Sequence, residues 1–562
     1  MSHAAARLVP LPIVAIALSL ACRQVPARAP SSPPIDPDGP RLLVLVAVDQ
    51  LAYEYLGRFD PYLEGGLRRL LDRGILFENA NYGHALTVTA AGHTTLASGL
   101  HPATSGIIDN YWFDRDAGEP VYSFGDREHG RSPRNFLGSA LPDWIRAVDS
   151  GARVFAASGK DRAAIAMAGH HPDGAYWYDD DTGGFQTSSY YQDELPSWVE
   201  SWNDEGRAAR YFARPYEPLA PVVEAAEPLG LRILDEGVFT PRFPFALGGL
   251  AIGPDAGFRE DFGESALLDA HVLDFARTLV HSQELGRREH LDYLAIGLSS
   301  LDLVGHRFGP LSPQVADTML RIDRELGAFL EFLDQEVGSD RWVLALSADH
   351  GVAPVPEQRA ADGLPAKRPG APDALCFQQA GERVRELFGL ERWVLEGFYL
   401  DRPAIAAAGA DPAAVASATA RELESCSIVE RAWTSEELAA LSIGAEEGDP
   451  FARLFRNSFH PGRSPDLMIQ LVEYAIPAGL VATHGSPYDY DRHVPVFLLL
   501  PGAAGGRVTD PIGIADVAPT LAGLLGIPAP PEVDGRDRSE LVVASVPGAR
   551  RVPAYREARP PT

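Results

Sequence analysis

Three runs of consecutive apolar residues constrain this chain more than any other feature. They are Arg41-Leu-Leu-Val-Leu-Val-Ala-Val48, Leu291-Asp-Tyr-Leu-Ala-Ile-Gly-Leu298 and Trp342-Val-Leu-Ala-Leu-Ser347. None shows the alternation of a strand with one wet face, so each reads as a strand buried on both faces. Such strands need helices above and below them. Helical spacing over residues 63–73, 141–149, 264–285, 312–337 and 515–525 supplies these. Further strand-like runs lie at 74–82, 152–158, 465–472 and 494–500. Strands alternating with helices give the α/β class, with a central, mostly parallel sheet flanked by helices.

Each run delivers an aspartate. Asp49 follows the first directly, and Asp302 lies just past the second in Ser299-Ser-Leu-Asp302-Leu-Val-Gly-His306. Asp349 closes the third in Ala348-Asp349-His350-Gly351. In open α/β sheets ligands bind outside the carboxyl ends of the strands. Three carboxylates meeting there repel one another and call for cations. Histidines occupy matching places: His306 four residues after Asp302, His350 beside Asp349, and His484 in Thr483-His484-Gly485. Singly, such an aspartate commonly caps a turn and such a histidine is structural. As a set they read as a metal centre. Carboxylate and imidazole together suit zinc, and six ligands exceed what one ion needs, so two Zn2+ ions are expected.

Thr89 stands in His84-Ala-Leu-Thr-Val-Thr89-Ala-Ala-Gly-His93-Thr-Thr-Leu-Ala-Ser-Gly99, which reads as a loop entering a helix that stops at Gly99. The unpaired N–H groups of a helix's first turn favour an anion. Alone, Thr89 is an ordinary N-cap. Beside two metal ions its hydroxyl is a nucleophile, and that combination suits in-line phosphoryl transfer.

Composition sets outer limits. At 562 residues the chain exceeds the usual size of one core. One large catalytic domain over 41–546 is expected, with insertions at about 169–262 and 352–464, where the periodicity fades, and a tail at 547–562. A net charge of −28 argues against nucleic acid or an anionic membrane surface as partner. At the N-terminus, Arg7 precedes an apolar run over 8–21 that ends at Cys22, and residues 23–40 are rich in Pro, Ala and Ser. The run is short for a membrane span and suits a signal peptide over 1–22 followed by a disordered linker. Ser19-Leu20-Ala21-Cys22 resembles, imperfectly, a lipoprotein cleavage box, which would tether the mature chain through a lipidated Cys22. Simple cleavage and retention as an anchor are the alternatives. Each exports the catalytic part, to a periplasmic or extracellular location. Export permits disulfides, and Cys376 and Cys426 in neighbouring helix-like segments are either bridged or two buried thiols. Of the 49 basic residues only Lys160 and Lys367 are lysines. That singles out Gly159-Lys160-Asp161-Arg162.

Thr-Ala-Ala-Gly-His at 89–93, Asn110 in the loop beyond, Gly-Lys-Asp-Arg at 159–162, Asp302-Leu-Val-Gly-His306, Asp349-His350-Gly351 and Thr483-His484-Gly485 together resemble the phosphate-irrepressible alkaline phosphatases of the alkaline phosphatase superfamily. The resemblance runs from about Arg41 to Gly535. Ala91 departs from it, since the family usually carries Pro there. It implies the superfamily's sandwich fold. It further implies that Asp302, His306 and His484 hold one zinc, and Asp49, Asp349, His350 and the Thr89 oxygen the other. Asn110, Lys160 and Arg162 would contact the non-bridging phosphoryl oxygens. The implied activity is an exported, monomeric phosphomonoesterase that acts on small-molecule phosphate esters through a phosphothreonine. A phosphodiesterase or nucleotide pyrophosphatase of the same superfamily shares the six ligands and the threonine, but resembles this chain less around Lys160. A sulfatase is disfavoured, because no Cys/Ser-x-Pro-x-Arg stands at the nucleophile. An exported binding protein that kept its metals as clips would not need the intact nucleophile.

Overall fold

The apolar runs become the middle of a nine-stranded sheet in a computed structural model of the chain. The structure describes residues 36–219, 243–248, 251–445, 447–477 and 479–555, with Val222 and Leu231. The expected signal segment with Cys22, and the linker as far as residue 35, lie outside the described residues. The strands are β1 (Leu42–Val48), β2 (Ile75–Phe77), β3 (Val154–Ser158), β4 (Gly174–Tyr178), β5 (Phe185–Gln186), β6 (Asp292–Leu298), β7 (Trp342–Ser347), β8 (Val496–Leu499) and β9 (Gly506–Val508). Their spatial order is β5-β4-β3-β6-β1-β7-β8-β2-β9. β1 lies between β6 and β7, parallel to both, with Leu42 opposite Asp292 and Trp342. β3 pairs in parallel with β6 and β4, and β2 with β9. Only β5 and β8 run against the rest. Every residue of β1, β3, β6 and β7 is buried, as unalternating apolar runs require.

The helices gather in two groups. α1 (Gly66–Arg73), α4 (Leu267–Ser282) and α5 (Ser300–Phe308) pack on the long α6 (Pro313–Leu333). α2 (Thr89–Ser98) packs on α3 (Asp161–Ala168) and on α7 (Val517–Leu525). The periodic stretch predicted over 264–285 forms the single helix α4, and a separate short helix, Ala256–Gly263, precedes it.

The stretch 169–262, expected as an insertion, first contributes β4 and β5 to the central sheet. Tyr176, Trp177 and Tyr178 are all buried in β4, so no alternation marks it as a strand. The run predicted over 465–472 forms Leu467–Leu471, which pairs antiparallel with Val429–Thr434 in a two-stranded sheet apart from the central one. Around that ribbon, helices Ala371–Phe388 and Pro412–Glu424 enclose a small core of their own that includes Val384, Leu400, Ile405 and Leu423. Cys376 and Cys426 are joined there by a disulfide. Among the described residues no helix is long and apolar enough to cross a membrane.

Candidate metal and phosphoryl-transfer centre

Parallel strands put their carboxyl ends on one edge, and this edge collects the charged residues. Asp49 follows β1, Lys160 follows β3 and starts α3, Asp349 follows β7, and α5 begins just beyond β6. On α5, Asp302 and His306 are one turn apart and share a face. Asp302, His306 and His484 form one compact group of potential ligand atoms, and Asp49, His93 and Asp349 a second. His306 Nε2 is 3.2 Å and His484 Nε2 3.6 Å from Asp302 Oδ1. In the second group His93 Nε2 is 3.1 Å from Asp49 Oδ1, and His350 Nε2 is 3.2 Å from Asp349 Oδ2. The rings of His350 and His484 stack at 3.4 Å, which joins the two groups.

The imidazoles share one orientation. Nδ1 of His306 donates to Ala482 O (2.9 Å), that of His484 to Thr87 O (2.7 Å), that of His350 to Gly351 O (2.9 Å) and that of His93 to Thr89 O (2.9 Å). A carbonyl only accepts, so each Nδ1 carries the hydrogen and a neutral ring keeps its lone pair on Nε2. Those lone pairs face the carboxylates. Oδ1 of Asp49, Oδ2 of Asp349 and Nε2 of His93 and His350 are buried and meet only one another, without a hydrogen bond of good geometry, while Asp49 Oδ2 pairs with Lys160. Buried carboxylate oxygens facing imidazole nitrogens that satisfy them poorly are costly alone and are what a divalent cation satisfies. The residues present therefore fit a carboxylate–imidazole metal centre.

Lys160 stands between the groups, its Nζ 2.8 Å from Asp49 Oδ2 and 2.5 Å from Asp302 Oδ2. Burial alone would raise both carboxyls, but the Lys160 ammonium overcomes it and holds Asp49 and Asp302 below the usual carboxylate range. Without a cation, burial lowers His350 but the Asp349 and Asp302 carboxylates reverse this and push it up to about 9, so a metal ion binding there would displace the proton on Nε2.

Thr89 opens α2, whose ten residues are all buried, and the extended Val88 precedes it. The Ala90 N–H donates to Asn110 Oδ1 (2.9 Å), which leaves the NH2 end of that amide as a donor. Arg162 lies in the first turn of α3, and its Nε is buried without a partner. The structure thus gathers Asp49, Asp302, His306, Asp349, His350, His484 and Lys160, and ties Asn110 to the helix turn that begins at Thr89.

Two participants escaped the sequence reading. His93 closes the Thr-Ala-Ala-Gly-His motif one turn after Thr89, and nothing in its spacing marks it as a ligand. Gln50 has φ +68°, and its backbone N–H reaches Asp349 Oδ1 (3.0 Å) while its Nε2 donates to Asp302 Oδ1 (2.7 Å). It links the carboxylates of the two groups. Its position directly after Asp49 was the only available signal, and nothing in the pattern marks a left-handed turn there.

Comparison with known proteins places the chain in a family. Residues 43–474 match the family model of type I phosphodiesterase / nucleotide pyrophosphatase. The alkaline phosphatase PhoV of Synechococcus elongatus is 31% identical over 90% of this chain and 93% of its own length. The alkaline phosphatase PafA of Elizabethkingia meningoseptica is 31% identical over 90% of this chain and 94% of its own. The crystal structure of wild-type PafA superposes with a TM-score of 0.81 at 29% identity, covering 89% of this chain and 99% of that one. The chain belongs to the type I phosphodiesterase / nucleotide pyrophosphatase family within the alkaline phosphatase superfamily, and is a hydrolase of the alkaline-phosphatase type.

Proposed function

We propose that the protein is an exported, zinc-dependent phosphomonoesterase that works through a phosphothreonine at Thr89. The observation that carries this reading is the inward Nε2 of His306, His350 and His484, each fixed by its own Nδ1 bond, around the partly unpartnered carboxylates. In this reading Asp302, His306 and His484 hold one zinc, and Asp49, Asp349, His350 and the Thr89 oxygen the other. Bound zinc would supply Lewis-acid chemistry, lowering the pKa of the Thr89 hydroxyl and of the hydrolytic water. Thr89 Oγ1 attacks phosphorus in line and the bond to the leaving oxygen breaks. Water then attacks phosphorus from the vacated side, the P–Oγ1 bond breaks, and inorganic phosphate leaves. The Asn110 NH2 group and the first-turn N–H groups of α2 other than that of Ala90, which Asn110 already engages, donate to the non-bridging oxygens. Lys160 and Arg162 add two positive charges, which favour a monoester dianion over a diester monoanion.

Export is supported by the apolar segment before Cys22 and by the Cys376–Cys426 disulfide, which persists in oxidising compartments. The proposed layout is a leader over 1–22 and a catalytic unit over 41–546. A second reading, a phosphodiesterase, is favoured by the name of the matching family model. One experiment separates them: kcat/KM for an aryl phosphate monoester and its matching diester, with zinc measured on the same preparation. The proposal expects monoester preference, loss of activity on chelation and its return with zinc. Thr89→Ala should abolish turnover while Thr89→Ser keeps part. Metal-free protein with full activity would reject the proposal, and diester preference would put the second reading first.

A further inference from the structure

We propose that Tyr122 is a positioning residue for phosphoryl recognition, holding the Arg162 guanidinium in place and thereby setting the preference for dianionic monoesters. This rests on the reading above, in which Arg162 meets the phosphoryl group.

Tyr122 ends the second strand of a hairpin, Tyr111–Asp114 paired with Glu119–Tyr122, and Tyr111 lies directly opposite it. The hairpin springs from Asn110, whose carbonyl accepts the Ser123 N–H at 2.9 Å. The Tyr122 hydroxyl donates to Asp161 Oδ1 (2.5 Å), and the same hydroxyl oxygen accepts from the Arg162 guanidinium. Burial and the Asp161 carboxylate keep the phenol protonated, so it retains the hydrogen it gives to Asp161. Asp161 is itself fixed: its Oδ1 accepts the Arg162 backbone N–H (2.6 Å) and its Oδ2 the Arg131 Nε–H (2.5 Å). Arg131 completes the clamp by lying 4.7 Å over the Tyr122 ring, with Tyr111 against the same ring at 4.9 Å.

The chain of donors therefore runs from Arg162 to the Tyr122 oxygen, on to Asp161, and back from Arg131. It leaves Arg162 Nε buried and unpartnered, an edge that an incoming anion can fill. A guanidinium has several rotatable bonds, and fixing it beforehand lowers the cost of binding an oxyanion through it. Tyr122 meets Arg162 and stands opposite Tyr111 on the strand that leaves Asn110, so it couples two of the phosphoryl-contacting candidates.

The test uses the zinc-loaded full chain and Tyr122→Phe, which keeps the ring and its stacking and removes only the hydroxyl. Monoester kcat/KM should fall roughly tenfold, as is usual for loss of a supporting contact, with diester kcat/KM held within about twofold. Inorganic phosphate should inhibit the variant more weakly, with zinc content unchanged. In an Arg162→Ala background the same change should cost nothing further, because its route of action is gone. Asp161→Asn, which weakens the acceptor behind Tyr122, should shift the monoester-to-diester ratio in the same direction. Unaltered monoester kinetics in Tyr122→Phe, equal losses on both esters, or an undiminished loss in the Arg162→Ala background would each overturn the proposal. If Arg162→Ala itself leaves monoester turnover intact, the role of Arg162 falls first and Tyr122 falls with it.

Discussion

Asp109, next to Asn110, is pushed up to about 6 by burial, against the opposing pull of the Asn110 and Tyr111 backbone N–H groups. Its folded value is raised, so the folded chain holds a proton that the unfolded chain has lost between about pH 4 and 6. Stability therefore falls as pH rises through that window and stays lower above it. Asp109→Asn removes the buried charge and keeps an acceptor for Asn110 N–H. Its Tm should match the parent near pH 4 and exceed it at pH 7, by an amount equivalent to roughly 3 kcal/mol at most. A difference that stays constant with pH would show that Asp109 titrates normally. At this scale the sequence was legible at the strand ends: Asp49, Asp302 and Asp349, the candidate ligands, each follow a buried apolar run. Gln50, His93 and Tyr122 meet their partners across the fold, and no spacing rule encodes such contacts. Gln50 and Asp302 are 252 positions apart.

Among the elements, α2 is the most tightly enclosed, buried all round rather than along one stripe. Gly92 permits this. A Cβ there would lie 2.3 Å from the Asp349 carbonyl oxygen and 2.8 Å from Asp349 Cβ. Tyr82 ties the same two segments together, its hydroxyl within 3.2 Å of Gly92 O and 2.8 Å of Ala348 O. Gly92→Ala must push the helix carrying Thr89 away from the loop carrying Asp349. It should cost about 1–3 kcal/mol in denaturant unfolding and reduce bound zinc, whereas Gly118→Ala, on an open turn, should leave zinc unchanged. Normal zinc content in a folded Gly92→Ala protein would show that the two segments are not rigidly coupled. The elements themselves were legible wherever one force dominated. β1, β3, β6 and β7 are buried on both faces and read as such. β4 was concealed by its aromatic residues, and Leu467–Leu471 pairs with a strand that no local signal ties to it.

For the whole molecule, the small core and the cluster of Cys426, Ile428 and Val429 beside the Cys376–Cys426 disulfide are separate from the main core and contain none of the candidate metal ligands. Closing a loop of 50 residues contributes about 4 kcal/mol in the chain-entropy model. Reduction, or replacement of both cysteines by Ala, should lower an early calorimetric transition and leave kcat at 25 °C nearly unchanged. An equal loss of activity would mean that this unit shapes the centre. The sheet order has a different consequence, one of time. β1 can pair only with strands that begin 250 and 300 positions later, at Asp292 and Trp342. At a synthesis rate of about 5–20 residues per second its partners arrive roughly 15–60 s after it does. Until then β1 is an unpaired apolar segment. Contacts of such long range also slow folding once the chain is complete. The strand at the middle of the finished sheet is thus made first and closed in late.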